Sequence, residues 1–142
     1  MNIAFAVEWS RFAEEAGVDL YEIVNAIRVR KTHSNLMYPG IGVGGYCLTK
    51  DPLLASWARK TFFHSLSDLE MSIYGVSIND QMPIFAFNRL EQIFGDLNKK
   101  KVAFLGISYR GDVGDTRYSP VEPLGNMVRN AGAELFLYDP YV

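Results

Sequence analysis

Apolar side chains recur at intervals of three and four through the first two thirds of the chain, then gather into short runs after Gly95. Ile3, Ala6, Val7, Ala13 and Ala16 lie on one face of a helix over residues 2–16, with Gly17 placed where helices commonly stop in a left-handed residue. Asp19 is the natural N-cap of a second helix that aligns Leu20, Ile23, Val24 and Ile27 and ends in the basic stretch Arg28, Arg30, Lys31. Periodicity then lapses until Asp51, which followed by Pro52 predicts a short helix from Pro52 to about Lys60. From Ser67 to Phe94 helical spacing returns, and Pro83 must kink or split the segment. Beyond it, KKKVAFLGISY reads as a strand, SPVEPLGNMVRNAG as a helix and AELFLYDPYV as a second strand, which makes a β-α-β unit. The expected fold is a mainly α-helical domain over residues 1–95, followed over residues 96–142 by the first β-α-β unit of an α/β domain. Two parallel strands are rarely stable alone, so the second part is expected to be incomplete.

Composition narrows the function classes. With 142 residues, 49% of them hydrophobic and 21% charged, the chain has what a packed globular protein needs. A net charge of -2 gives no field to gather nucleic acid or an anionic membrane surface. No apolar run approaches the roughly 20 residues of a membrane span, and NIAFAVEW is interrupted by Glu8 without a basic leader, so a cytoplasmic protein is expected. One cysteine, Cys47, permits neither an internal disulfide nor a cysteine zinc cluster.

Cys47 lies in YPGIGVGGYCLTKDP, where Gly40, Gly42 and Gly45 also have the G-x-G-x-x-G spacing of a dinucleotide-binding turn. Such a turn needs a strand before it and a helix directly after it. Here KTHSNLMYP precedes the glycines and Tyr46 to Lys50 separate them from Asp51, so the cofactor-cradle reading fails. What remains is a backbone-exposing loop leading to Cys47, which is either a small packing residue or a reactive thiol. The Lys50 ammonium and a helix start supply the sign of field that favours a thiolate. His33 and His64 would be needed for a cysteine hydrolase, but nothing places either beside Cys47.

The string GIGVGGYCLTKDP resembles the cysteine loop of the nucleotide-sugar 6-dehydrogenases, the family of the UDP-glucose, UDP-N-acetylmannosamine and GDP-mannose enzymes, through Gly42, Gly44, Gly45, Cys47, Lys50 and Asp51. VAFLGISYRGDVGDTRYSP resembles the opening of that family's UDP-binding domain, through Tyr109 and Arg110 and through Asp115, Thr116, Arg117, Ser119 and Pro120. The resemblance implies oxidation of a sugar C6 alcohol to a carboxylate with NAD and no metal. Cys47 would form a thiohemiacetal and then a thioester, Asp51 would position water and Lys50 would support the thiolate or oxyanion. Leu36, Met37 and Tyr38 would wrap the sugar, Gly42, Val43 and Gly44 would present main chain to it, and Tyr109 and Arg110 would meet the nucleotide.

Lys31 would reach across a homodimer formed by the helical domain. Asp115 and Arg117 have two readings, as ligand contacts or as a turn in which Ser119 caps the next helix ahead of Pro120. The same resemblance implies that NAD is bound by a domain outside this chain, as are a catalytic lysine and asparagine. A segment of this kind is not expected to turn over alone. The PGxGVGG form of the loop leans toward a UDP-N-acetylhexosamine such as UDP-N-acetylmannosamine, ahead of UDP-glucose. The competing reading is a non-catalytic dimerisation or nucleotide-sugar-binding module.

Overall fold

A computed structural model describes residues 2–142. Six helices and two strands follow in the order α1 (Asn2–Glu15), α2 (Leu20–Arg28), α3 (Tyr46–Phe63), α4 (Glu70–Asp80), α5 (Met82–Phe94), β1 (Lys101–Leu105), α6 (Val121–Asn130) and β2 (Glu134–Tyr138). The described residues are thus mainly helical, with a parallel β-α-β unit at the end.

The α1 stripe buries Ala4, Ala6, Val7 and Ala13, small side chains that let α4 pack close along it. Gly17 ends the helix at φ +69, and the Val18 N–H returns to the Ala13 carbonyl at 2.8 Å, the left-handed stop expected of it. Asp19 caps α2 by accepting the Tyr21 N–H at 2.8 Å. Pro83 falls in the first turn of α5, where a missing N–H costs nothing, so the Ser67–Phe94 pattern resolves into two helices that break at Gln81.

One helix differs from expectation. α3 begins at Tyr46 rather than Pro52 and runs to Phe63, so Asp51 lies inside the helix and is not its cap. Pro52 is tolerated six residues in, at the cost of the hydrogen bond its nitrogen would have donated to the Leu48 carbonyl.

In the β-α-β unit β1 and β2 pair in parallel with Val102 opposite Leu135, and α6 crosses between them. Leu97, Leu124, Val128 and Ala133 form its core, and α5 adds Ala86, Phe87 and Leu90. Val128 is completely buried, and burying one such side chain stabilises by about 1.5–3 kcal/mol. Ser119 contributes to the start of α6 by accepting the Val121 N–H at 3.3 Å, although Pro120 holds the cap position. No helix among the described residues is long and apolar enough to cross a membrane.

Candidate functional site

The early start of α3 places Cys47 in its first turn, where backbone N–H groups have no partner within the helix and the helix dipole is positive. Cys47 is exposed. Lys50 and Asp51, three and four residues on, share its helix face. The cap is Gly45 at φ +83, whose N–H donates to the Arg117 carbonyl at 2.9 Å and whose carbonyl accepts the Thr49 hydroxyl at 2.7 Å. The helix can therefore start at a residue without a capping side chain, because the partner comes from the loop that precedes α6.

The approach to Gly45 is clamped from both sides. On one, Asn79 of α4 accepts the Val43 N–H at 2.7 Å and donates to the Val43 carbonyl at 2.9 Å. Gly42 passes over the same residue at φ +112, a conformation that favours glycine. On the other side lies the loop 106–120. A Cβ on Gly44 would stand 2.6 Å from the Tyr109 Cβ and nearer still to the Tyr118 carbonyl oxygen, and the Tyr109 ring covers Gly45. Within that loop the Tyr109 N–H donates to the Asp115 carbonyl at 3.0 Å. The Asp115 carboxylate accepts both the Arg117 N–H at 3.0 Å and the guanidinium, whose closest approach is 2.6 Å. That guanidinium and N–H hold the Asp115 carboxyl down at about 2.

The residues singled out in the sequence meet this arrangement differently. Tyr109 is brought against Gly44 and Gly45, the latter two residues before Cys47, and Arg110, which follows Tyr109, is exposed. Lys50 is engaged: its ammonium lies 3.4 Å from the Asp51 carboxylate and 4.2 Å from the Tyr46 ring centre. Desolvation works against that ammonium, but Asp51 and Tyr46 outweigh it and its pKa is raised. Tyr38 donates to Asn25, stacks on Tyr21 and has its ring centre 4.8 Å from the Arg28 guanidinium carbon, while Arg28 also donates to the Leu36 carbonyl at 2.9 Å. Leu36 packs on Ala13, Leu20 and Val24, and Met37 stays exposed. Lys31 sits exposed on a short 3-10 turn, Lys31–His33. Asp115 and Arg117 bond to each other within the loop, and Pro120, not Ser119, holds the cap of α6.

Sequence reasoning passed over Asn79, Thr49, Tyr21 and Arg28. The available signal was Asn79 itself, an asparagine at a helical position that is buried, where its side chain must find partners other than water.

Neither glycine-bearing turn fits a dinucleotide. Gly40–Gly45 follows no strand, and at the turn after β1 the Asp139 carboxylate takes the N–H groups of Ile107 and Ser108 at 2.8 and 2.9 Å, where a pyrophosphate would need them. Those two amides, with that of Tyr141, hold the Asp139 carboxyl well below the usual carboxylate range. Among the described residues no group of three His, Cys, Asp or Glu side chains is placed to hold a metal ion. A cleft of about 570 Å³ opens beside the thiol loop between Val43, Lys50, Asn79, Tyr118 and Pro120, within the size range of small-molecule sites.

Residues 1–80 match the family model described as the central domain of the UDP-glucose/GDP-mannose dehydrogenase family. The UDP-N-acetyl-D-mannosamine dehydrogenase of Pyrococcus horikoshii is 39% identical, covering 100% of this chain and 33% of that protein. The corresponding enzyme of Methanocaldococcus jannaschii is 34% identical over 99% of this chain and 31% of its own length. Among solved structures, the NDP-N-acetyl-D-galactosaminuronic acid dehydrogenase of Methanosarcina mazei Go1 superposes with a TM-score of 0.88 at 30% identity, over 99% of this chain and 32% of that one. The chain thus spans about a third of the length of the curated relatives it matches. The family model covers more than half of the chain and the superposition extends over nearly all of it, and the chain belongs to the UDP-glucose/GDP-mannose dehydrogenase family.

Proposed function

We propose that this chain supplies the cysteine-bearing part of an NAD-dependent nucleotide-sugar 6-dehydrogenase acting on a UDP-N-acetylhexosamine, UDP-N-acetylmannosamine in the first place. The observation that carries the reading is the position of Cys47: exposed, in the first turn of a helix, at the end of a glycine loop clamped by Asn79 on one side and by Tyr109 on the other. A thiolate there meets unpaired N–H groups that stabilise negative charge on sulfur and, later, on an oxygen bound to the carbon it attacks. Relatives named for UDP-N-acetyl-D-mannosamine favour that sugar over UDP-glucose.

The chain's own share of the chemistry is covalent. Cys47 Sγ adds to the C6 aldehyde carbon, and the aldehyde oxygen takes up the negative charge and a proton, leaving a thiohemiacetal. Once that carbon is oxidised it is held as a thioester, and Asp51, one helical turn from Cys47, positions the water that releases the carboxylate. NAD supplies the hydride acceptor on this reading and is held by residues outside this chain, since neither turn described above fits it. Arg110 meets a phosphate of the nucleotide and Tyr109 its neighbourhood, while Met37 and the main chain of Gly42, Val43 and Gly44 face the sugar. Residues 1–95 form the helical domain and 96–142 belong to the UDP-binding domain.

A homodimer through the helical domain fits the exposed row Phe5, Trp9 and Phe12 on α1, whose rings pack on one another at 5.4 and 6.0 Å. Lys31 would reach the neighbouring site across it.

The test replaces the matching third of the Pyrococcus horikoshii relative with this chain and follows NADH formation on UDP-N-acetylmannosamine, UDP-glucose and GDP-mannose. Uronate formation that disappears in Cys47→Ser supports the proposal. A folded chimera that is inactive on all three sugars, or active without Cys47, overturns it in favour of a non-catalytic nucleotide-sugar-binding module.

A further inference from the structure

The loop 109–119 does more than contribute Tyr109 and Arg110. It is closed on itself by the Tyr109 N–H to Asp115 carbonyl bond, and its far limb is stiffened by the Asp115 carboxylate, which accepts both the main-chain N–H and the guanidinium of Arg117. From that stiffened limb the Arg117 carbonyl grips the Gly45 N–H, and the Tyr118 backbone, at φ +54, presses on Gly44. From the near limb the Tyr109 ring covers Gly45. Tyr46, next to Cys47, lies against Tyr118 with ring centres 5.9 Å apart. Between Arg110 and Cys47 the contacts therefore run through one main-chain neighbour, Tyr109, onto Gly45 and two residues into α3. Along it the Tyr109 ring packs on Gly45, Tyr109 and Tyr118 leave no room for a side chain at Gly44, and the Arg117 carbonyl holds the Gly45 N–H.

We infer that Asp115 and Arg117 are positioning residues: their ion pair holds the loop against Gly44 and Gly45 and thereby fixes the separation between the Arg110 cation and the Cys47 sulfur. The consequence is a gauge for the length between an anionic phosphate and the carbon that reacts, separate from the contacts that face the sugar itself. This rests on the reading of Cys47 as nucleophile and Arg110 as phosphate contact. The Arg117 guanidinium is bonded first to Asp115 and also lies within electrostatic reach of Cys47, so Arg117 bears on the thiol both through its carbonyl and through its charge. The charged and titratable groups around the thiol are Lys50, Asp51 and Tyr46 on α3 and Tyr109, Asp115, Arg117 and Tyr118 on the loop.

The experiment compares two alkylating probes on the chain: chloroacetamide, and UDP esterified through its terminal phosphate to an arm ending in chloroacetamide, with Cys47 labelling read by peptide mass spectrometry. In the wild type the tethered probe should react at least about 10-fold faster at equal concentration, since tethering raises the effective concentration at a sulfur held at the right distance. Asp115→Asn should lose most of that advantage while the rate with free chloroacetamide and the affinity for UDP stay within about two-fold, because only the separation has changed. Faster exchange of the Gly45 amide in the variant reports release of the Arg117 carbonyl. Should Asp115→Asn not fold, Arg117→Lys, which keeps the charge and loses the two-pronged grip, is expected to behave in the same way. A tethered advantage that survives both substitutions overturns the positioning role alone. Its absence from the wild type overturns the functional reading, and the gauge with it.

Discussion

Gly44→Ala isolates the steric demand at the centre of the site. Gly44 does not occupy the left-handed region, so alanine is allowed by the backbone and only space decides the outcome. The added methyl would stand 2.6 Å from the Tyr109 Cβ and closer to a main-chain oxygen, and neither atom is the far end of a flexible side chain. Relief requires the loop 109–119 to move off, which breaks the Gly45 to Arg117 hydrogen bond. Overpacking of this kind costs about 1–3 kcal/mol and the lost hydrogen bond about 1, so a destabilisation of about 2–4 kcal/mol is expected. At a urea dependence of about 2 kcal/mol per molar, the unfolding midpoint should fall by about 1–2 M. Gly40→Ala is the matched control: nothing lies within 4 Å of its added carbon, and fewer unfolded conformations should raise stability by up to about 0.4–1 kcal/mol. Equal midpoints for the two variants would refute the close approach of the loop to the thiol segment.

Three further outcomes follow from the same geometry. Asn79→Ala removes both hydrogen bonds to Val43 and leaves its main chain unpaired, so a loss of about 1–3 kcal/mol is expected in urea unfolding, with faster proteolysis at residues 40–45. The Asp115 carboxyl is lowered in the fold from 3.8 to about 2, so its contribution to stability is present above about pH 4 and is lost as pH falls toward 2. Thermal midpoints of Asp115→Asn should therefore depend less on pH than those of the wild type across that window. Asp139→Ala should speed hydrogen exchange at Ile107 and Ser108 while leaving the Asn79 clamp untouched, a difference that amide exchange resolves residue by residue.

Much of the fold was legible because its signals are local. Asp19, Gly17 and Pro83 act within a turn of the helices they start, stop or split, and the short apolar runs after Gly95 report the strands directly. The start of α3 was not legible in the same way. Asp51-Pro52 carries the local signal of a helix start, but the chain enters the helix at Tyr46 because a carbonyl at Arg117 satisfies the N–H of a glycine that has no capping side chain. That error concealed the most consequential feature of the site, the placement of Cys47 within a helical first turn. Lys50 was legible as a cation near the thiol, but its side chain is shared with Asp51 and Tyr46, a competition that spacing alone does not reveal. The packing of the loop that carries the Asp115 and Arg117 pair against Gly44 and Gly45 was not legible, because loop and glycines are brought together from distant parts of the chain.

The central claim is that the Cys47 sulfur lies where a nucleotide-bound sugar is held. The most direct measurement is the rate at which iodoacetamide labels Cys47 in the chain with and without UDP-N-acetylmannosamine. Protection that saturates with the sugar nucleotide, and that Arg110→Ala weakens, is the predicted result. Labelling that proceeds at the same rate at every sugar-nucleotide concentration, in a chain shown by titration to bind it, would contradict the account.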